Sequence, residues 1–252
     1  MRKARTYNGG MTLPWLPADP LAPFPPAGQA LRDPDGLLAA GGDLSPARLL
    51  NAYRHGIFPW YSDGQPFLWW TPDPRMVFRS DGVHLSSRFR RSLRHSPWVV
   101  RADGVFDAVI DACAQVPRAG QHGTWITDDM RSAYRNLHRL GHAHSIEVFD
   151  GADLVGGLYG VAIGRMFFAE SMFSARSGGS KVALAALARR LHDWEWPLID
   201  AQVENPHLVG LGAEAWPRAD FLRRIAVLVA APAAPGPWLE CFGELPAARL
   251  AV

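Results

Sequence analysis

The 252 residues are 48% hydrophobic and 20% charged, enough apolar content to bury the core of one large domain or of one small and one medium one, and no apolar run reaches membrane-spanning length. A formal charge of +2 selects no partner by itself, and two cysteines, Cys113 and Cys241, form neither a disulfide framework nor a metal-ligand pattern, so a cytoplasmic protein is expected. The basic start Met1-Arg2-Lys3-Ala4-Arg5 is followed by Asn8, Gly9, Gly10, Pro14 and Pro17 in place of an apolar stretch, so no secretory signal is expected.

Twelve of the 21 prolines lie in the first 74 residues. Between Pro14 and Pro34 they forbid continuous helix or a central strand and leave extended chain and turns. A helix then opens on Ser45 as N-cap with Pro46 at its first position, carries Leu49, Leu50 and Tyr53, and stops at Gly56. The aromatic-dense Ile57-Phe58-Pro59-Trp60-Tyr61 and Phe67-Leu68-Trp69-Trp70 read as loop and short strand, closed by Thr71-Pro72-Asp73-Pro74. From about residue 98 the pattern turns regular. Phe106, Val109, Ile110 and Cys113 recur at helical spacing, as do Met130, Tyr134, Leu137 and Leu140 in a helix opened by Thr127 or Asp128 and stopped by Gly141. A strand meander follows at 145–149, 154–163 and 166–173, with turns at Asp150-Gly151 and near Gly164. Then come a small-residue loop at 174–180, a helix over 181–194 and a strand over 198–203. A last full helix carries Phe221, Leu222, Ile225 and Leu228, and the Ala/Pro tail from Ala230 reads as partly linker.

This order predicts an α+β fold with a mixed sheet. A small Pro- and aromatic-rich N-terminal domain over 1–95 precedes an acetyltransferase-like (GNAT-like) domain over 96–252, in which a donor and an amine meet at a splayed strand pair.

Charge is distributed unevenly. All basic residues except Lys3 and Lys181 are arginines, and from Arg75 to Arg101 seven arginines meet a single acid, Asp81. Such a stripe, with Arg88, Arg90, Arg91 and Arg94 at its centre, suits phosphate contact, because each guanidinium offers a planar fork of donors. A merely solvated face has the same pattern. Ser177-Gly178-Gly179-Ser180-Lys181 lacks phosphate-loop spacing, since Val182 follows the lysine, but it can form an anion-friendly helix N-terminus. His138, His142 and His144 are poorly spaced for a metal, with Gly141 ending the helix between the first two.

Several strings carry a resemblance. They are 36–44 (Gly-Leu-Leu-Ala-Ala-Gly-Gly-Asp-Leu), 53–60 (Tyr-Arg-His-Gly-Ile-Phe-Pro-Trp), 69–75 (Trp-Trp-Thr-Pro-Asp-Pro-Arg) and Gly123-Thr124-Trp125-Ile126. Further on come Glu170-Ser171-Met172-Phe173-Ser174, Ser180-Lys181 and 198–203 (Leu-Ile-Asp-Ala-Gln-Val). In this order, from about residue 33 to 225, the chain resembles the bacterial leucyl/phenylalanyl-tRNA–protein transferases. The resemblance implies transfer of Leu or Phe, with Met a further donor, from charged tRNA to an N-terminal Arg or Lys, which marks the acceptor for degradation under the N-end rule. It implies no metal, no coenzyme A and a monomer, while the short apolar runs lead to no membrane partner being expected. The chain departs from the family string at Ala169, where glycine precedes the glutamate, and at Pro206-His207 after Asn205.

An ester donor and an amide product make the reaction downhill, and an α-amine with a pKa of about 7.7–8.0 is already partly neutral in the cell. Catalysis then needs positioning, a proton acceptor and oxyanion stabilisation. Asp200 and Gln202, two apart on a strand, share a face, where a carboxylate can orient an amide oxygen; a strand-end Asp capping a turn beside a solvated Gln is the plainer alternative. The resemblance implies a proton relay in which Asp200 polarises Gln202, and a route through the tRNA's own terminal hydroxyl stays open. Glu170 ends an apolar strand, where a carboxylate needs a partner. It would bind the acceptor's amino terminus or the terminal ribose, or else pair with an arginine such as Arg165. Trp60, Tyr53 and Trp125 are candidate platforms for the terminal adenine, each stacked base contributing roughly 1–3 kcal/mol. Leu184, Leu187 and Leu191 form a helical stripe that ordinary core would also produce. The resemblance places these three, with Leu158, Phe167 and Ile199, at the wall of the aminoacyl pocket. Two other functions fit parts of the chain: a coenzyme A-dependent N-acetyltransferase, which leaves the aromatic N-terminal segment unexplained, and a non-catalytic binder of tRNA ends or basic N-termini, which does not need Asp200 and Gln202.

Overall fold

The computed structural model describes residues 5–7, 11–116, 125–233 and 236–251. The start Met1–Ala4, Asn8–Gly10 and the Gly123-Thr124 part of the fourth string lie outside the described residues.

The first half contributes β1 (Arg5–Tyr7), β2 (Met11–Leu13), β3 (Trp15–Leu16), β4 (Leu37–Gly41), α1 (Pro46–Arg54), β5 (Phe58–Pro59) and β6 (Leu68–Trp70). It continues with β7 (Arg75–Arg79), α2 (Ser87–Leu93), β8 (Val99–Ala102) and α3 (Phe106–Gln115). The second half brings α4 (Asp128–Arg139), β9 (Ala143–Asp150), β10 (Asp153–Ile163), β11 (Met166–Ser174), α5 (Gly179–Asp193) and β12 (Leu198–Gln202). It ends with α6 (Pro206–Gly210), β13 (Glu214–Trp216), α7 (Arg218–Leu228), α8 (Trp238–Cys241) and β14 (Leu245–Pro246). A four-stranded sheet runs β3-β4-β6-β5 and an eight-stranded sheet runs β13-β7-β12-β11-β10-β9-β8-β14. The mixed α+β organisation expected from the pattern is present.

The helix signals act as the sequence predicts. Ser45 Oγ accepts from the Arg48 amide at the start of α1, and Thr127 Oγ1 accepts from the Met130 amide at the start of α4, each satisfying one amide that the helix itself leaves unpaired. Gly56, at φ +68°, ends the first turn after α1 and lets α7 approach: a Cβ there would meet Leu222 at 2.6 Å.

Two segments behave otherwise than expected. The sequence Arg75-Met-Val-Phe-Arg79 precedes residue 95 yet joins the large sheet between β13 and β12, because Met76, Val77 and Phe78 are all buried and need cover on both faces. The tail after Ala230 is not simply linker. Trp238 and Phe242 are buried, and β14 pairs with β8 at the sheet's far edge.

The sheet's centre positions the site. β11 and β12 run parallel and pair at Met166–Leu198, Phe167–Ile199 and Phe168–Asp200, where the pairing stops although both strands continue. Beyond that point the two strands splay apart. α5 covers one face there, its first turn pressed onto β10 so closely that a Cβ on Gly179 would meet the Val155 carbonyl at 2.4 Å.

Candidate active site

A bulge sits on each side of the splay. On β11 the register with β10 jumps from Ser171–Tyr159 to Ala169–Gly160, so Glu170 is the extra residue. On β12 the register with β7 jumps from Asp200–Val77 to Gln202–Met76, so Ala201 is extra and Gln202 takes a left-handed φ of +63°. Bulges re-aim side chains next to functional sites, and a non-glycine residue in that backbone region costs about 1–3 kcal/mol. Opposite the first bulge only glycine fits, since a Cβ on Gly160 would meet the Phe168 carbonyl at 2.3 Å.

The two bulged strands bring Glu170 and Gln202 together. Gln202 Nε2 donates to Glu170 Oε1 at 2.6 Å, the Tyr53 hydroxyl donates to the same oxygen at 2.7 Å, and the Tyr134 hydroxyl donates to Oε2 at 2.8 Å. The hydroxyls of Tyr53 and Tyr134 also touch each other. Burial pushes the Glu170 carboxyl up to about 7 against the pull of these donors, and the nearby Asp200 charge adds to the rise. Burial and Glu170 likewise hold both phenols well above their ordinary range.

Asp200 is engaged elsewhere than with the Gln202 side chain. It is fully buried in a bidentate pair with Arg75, at 2.8 Å from Nε and 2.6 Å from Nη2. The Arg75 guanidinium is sandwiched between Phe58 and Phe221, 4.8 Å from each ring. Asp200 Oδ1 accepts the backbone amide of Gln202 at 3.0 Å, while the Gln202 side-chain amide turns to Glu170. The expectation that the two residues share a face through simple alternation is corrected by the bulge at Ala201. Asp200 holds the backbone that aims Gln202.

Around this centre lies a cleft of about 450 Å³. Trp60, Trp125, Leu158, Leu184, Phe78, Met172 and Leu208 line it, beside the polar Glu170, Ser171, Gln202, Glu204, Asn205 and His207. Trp60 leaves the β5–β6 hairpin, its carbonyl taken by the Trp70 indole at 2.6 Å, and Trp125 lies two residues before Thr127, the cap of α4.

The remaining expectations divide. Tyr53 is no stacking platform: it is fully buried, packed against Phe168, and its hydroxyl serves Glu170. Leu187, Leu191, Phe167 and Ile199 belong to the buried core under the cleft and do not line it. The reason is geometric, since each helical turn carries α5 about 5.4 Å further from the opening and only its first leucine reaches the wall. Glu170 does not pair with Arg165, which meets Glu195 instead. The arginine stripe also splits. Arg75 is buried, Arg79 pairs with Asp81 at 3.0 Å and Arg101 with Glu244 at 2.6 Å. Arg88, Arg90 and Arg91 ride on α2 and Arg94 caps it. Arg88, Arg91 and Arg94 are exposed without an acidic partner among the described residues. Lys181 lies over the Phe89 ring at 5.7 Å, and its charge adds to the burial that lowers the His207 imidazole on the cleft rim, so α2 borders the cleft through α5.

The sequence reading missed Tyr134 and Arg75 as site residues. Tyr134 looked like one more apolar position of α4, and its only signal was a polar tip at a fully buried position. Arg75 was counted with the surface stripe, although it opens a strand whose next three residues are apolar.

The loop at Ser177–Lys181 is less open to anions than its sequence suggests. Ser174 Oγ accepts the Ser180 amide at 2.8 Å, and a Cβ on Gly178 would meet the Phe89 ring at 2.5 Å. Asn205, whose role the sequence left in doubt, caps α6 by accepting the His207 amide at 2.8 Å. His144 Nδ1 lies 2.6 Å from Asp103, and among the described residues no group of three His, Cys, Asp or Glu side chains is placed to hold a metal. No helix among the described residues is long and apolar enough to cross a membrane.

Comparison with known proteins gives a consistent set. Residues 77–226 match the family profile described as leucyl/phenylalanyl-tRNA protein transferase, and residues 42–73 match that of its N-terminal domain. A leucyl/phenylalanyl-tRNA–protein transferase of Xanthomonas axonopodis pv. citri is 71% identical over 93% of this chain and 94% of its own length. One from Xylella fastidiosa is 65% identical over 89% of this chain and 93% of its own. Among solved structures, a functionally unknown conserved protein from Staphylococcus epidermidis aligns over 86% of this chain and 91% of its own with a TM-score of 0.42 and 12% identity, too distant a likeness to argue from.

Proposed function

The chain belongs to the leucyl/phenylalanyl-tRNA–protein transferase family and is an aminoacyltransferase, and from that premise we propose that its splayed-strand cleft moves Leu or Phe from charged tRNA onto an N-terminal Arg or Lys of an acceptor protein. One observation carries the proposal. A buried carboxylate and an amide, each delivered by a bulge, line a cleft together with Leu158, Leu184, Trp60 and Trp125.

In this reading the aminoacyl side chain lies against Leu158 and Leu184, and the terminal adenine stacks at Trp60 or Trp125. Glu170 receives the acceptor's cationic amino terminus. Gln202 spends its amide N–H on Glu170, which leaves its carbonyl oxygen as an acceptor toward the attacking nitrogen. The ester carbonyl is attacked, the C–N bond forms and the bond to the ribose oxygen breaks, with no covalent enzyme intermediate. Asp200 and Arg75 act through Gln202, as positioning residues. The exposed arginines of α2 supply phosphate contacts, reached from the cleft past Lys181. Work as a monomer in the cytoplasm, and marking of the acceptor for degradation, complete the proposal.

The crowded start of α5 supports this reading over a coenzyme A-dependent one, because a pyrophosphate needs free amides at that turn. The test is transfer of label from Leu- or Phe-charged tRNA to a protein beginning with Arg, beside a parallel reaction with acetyl-coenzyme A. Label on the acceptor from the first donor only is expected. Acetylation, or no transfer despite tRNA binding, would overturn the proposal.

A further inference from the structure

Three polar groups meet in the buried floor of the site: the Tyr53 hydroxyl, the Tyr134 hydroxyl and the Glu170 carboxyl. Each touches the other two, with Tyr53 at 2.7 Å from Oε1, Tyr134 at 2.8 Å from Oε2 and the two hydroxyls in contact. Three contacts require three protons. A tyrosine hydroxyl carries one, and an ionised carboxylate carries none. With Glu170 ionised, both hydroxyl protons point to the carboxylate, and two phenolic oxygens face each other with no proton between them. With Glu170 protonated, the Tyr134–Oε2 bond reverses and the count closes: the carboxyl donates to Tyr134, Tyr134 to Tyr53, and Tyr53 back to the other carboxyl oxygen. Gln202 Nε2 still donates to Oε1 in either state.

The surroundings favour the neutral form. α1 supplies Tyr53, α4 supplies Tyr134, and β10 supplies Tyr159, which packs edge-on against Tyr134 with centroids 5.5 Å apart. The charge that acts on it is Asp200 on β12, which disfavours a second anion and is itself paired with Arg75 on β7. Burial acts in the same direction, and the carboxyl is pushed up to about 7.

We infer that Glu170, Tyr53 and Tyr134 form a closed ring of three hydrogen bonds that stores a proton on Glu170 in the empty site and releases it when the acceptor's ammonium docks, with Tyr134 as the positioning residue that closes the ring. The inference rests on the reading that Glu170 receives the acceptor's amino terminus. The protons then balance. Docking of the ammonium expels the stored proton to solvent, and the carboxylate takes one proton from the ammonium, leaving a neutral amine. That amine attacks the ester carbon, the C–N bond forms, the C–O bond breaks, and the nitrogen's surplus proton passes to the ribose oxygen. Glu170 ends protonated again, and one proton per turnover has left, as the conversion of an ammonium and an ester to an amide and an alcohol requires.

The test is infrared titration of the ligand-free enzyme, following the carbonyl stretch of a protonated carboxyl. Wild type should show a band titrating well above the ordinary carboxyl range, and Glu170→Gln should lack it. Tyr134→Phe keeps the edge-on ring contact with Tyr159 and should lower the midpoint by about one pH unit, a tenfold change in the ionisation constant. The sign discriminates: a tyrosine acting only as a donor to the carboxylate would, on removal, raise the midpoint. No band in wild type, or an unchanged or raised midpoint in Tyr134→Phe, overturns the ring. Adding an Arg-initiated peptide at pH 6 then tests the reading beneath it. Bleaching of the band supports both, whereas a band present but indifferent to bound peptide leaves the ring standing and removes Glu170 from acceptor binding.

Discussion

Replacing Asp200 with Asn should unsettle the fold and the chemistry together, because the carboxylate lies under the site and not in it. Asn would leave the Arg75 charge buried between two rings without its partner. Breaking one side of a buried pair costs about 3–5 kcal/mol, and in a chain of this size each kcal/mol moves the melting point by about 2–4 °C, so a fall of roughly 6–20 °C is expected. The same change weakens the charged acceptor for the Gln202 amide, a bond of about 1.5–3 kcal/mol, and if all of that were lost from the transition state turnover would drop about 10- to 100-fold. Arg75→Met breaks the pair from the other side, so it should reproduce both losses within a few-fold. Melting curves and steady-state transfer rates, measured well below the lower melting point, provide the comparison. If Asp200→Asn lost turnover at an unchanged melting point while a folded Arg75→Met kept its activity, Asp200 would be a chemical relay and this reasoning would be refuted.

The raised carboxyl of Glu170 also has a pH signature: a carboxylate pushed up from 4.5 to about 7 binds more protons folded than unfolded, so it contributes stability below pH 4.5 that is lost as the pH rises to 7. The stability of Glu170→Gln relative to wild type, read from melting curves, should therefore rise across that window by an amount of the order of 3 kcal/mol at full effect, and parallel curves would exclude the shift. Arg88→Ala with Arg91→Ala should weaken all charged tRNAs alike and flatten the plot of log affinity against log salt by about one or two units. It should spare transfer from a minimal aminoacyl-adenosine, which Trp125→Ala should impair; an unchanged slope would make α2 a solvated face. Leu184→Phe should reorder Leu, Phe and Met as donors, whereas Leu187→Val should lower stability by about 1–3 kcal/mol with the ranking intact, and reordering by Leu187→Val alone would reverse the assignment of wall and core.

What the sequence made legible was periodic or punctuated. Ser45-Pro46, Thr127 and the glycines at 56, 141 and 164 set element ends where the structure has them, because capping and left-handed turns are local chemistry. The meander appeared through turn residues and alternation. β7 stayed hidden because Thr71-Pro72-Asp73-Pro74 reads as an ending, and five residues with an arginine at each end resemble an exposed segment. The packed tail stayed hidden because Trp238 and Phe242 sit among alanines and prolines without a period. At the site, Trp60, Trp125, Leu158, Leu184, Glu170 and Gln202 come together, but alternation misjudged β12 because a bulge leaves no mark on the residue spacing. A helical stripe likewise cannot say which of its leucines lies at an opening.

The central claim is that the splayed cleft holds the aminoacyl-adenosine end of the donor. It is tested most directly by a crystal structure with an amide-linked, non-hydrolysable phenylalanyl-adenosine. The account predicts the adenine against Trp60 or Trp125, the phenyl ring between Leu158 and Leu184, and the carbonyl carbon near Gln202 and Glu170. An analogue seated instead in the groove between Arg79, Trp196 and Trp216, at the other end of β7 and β12, would contradict it.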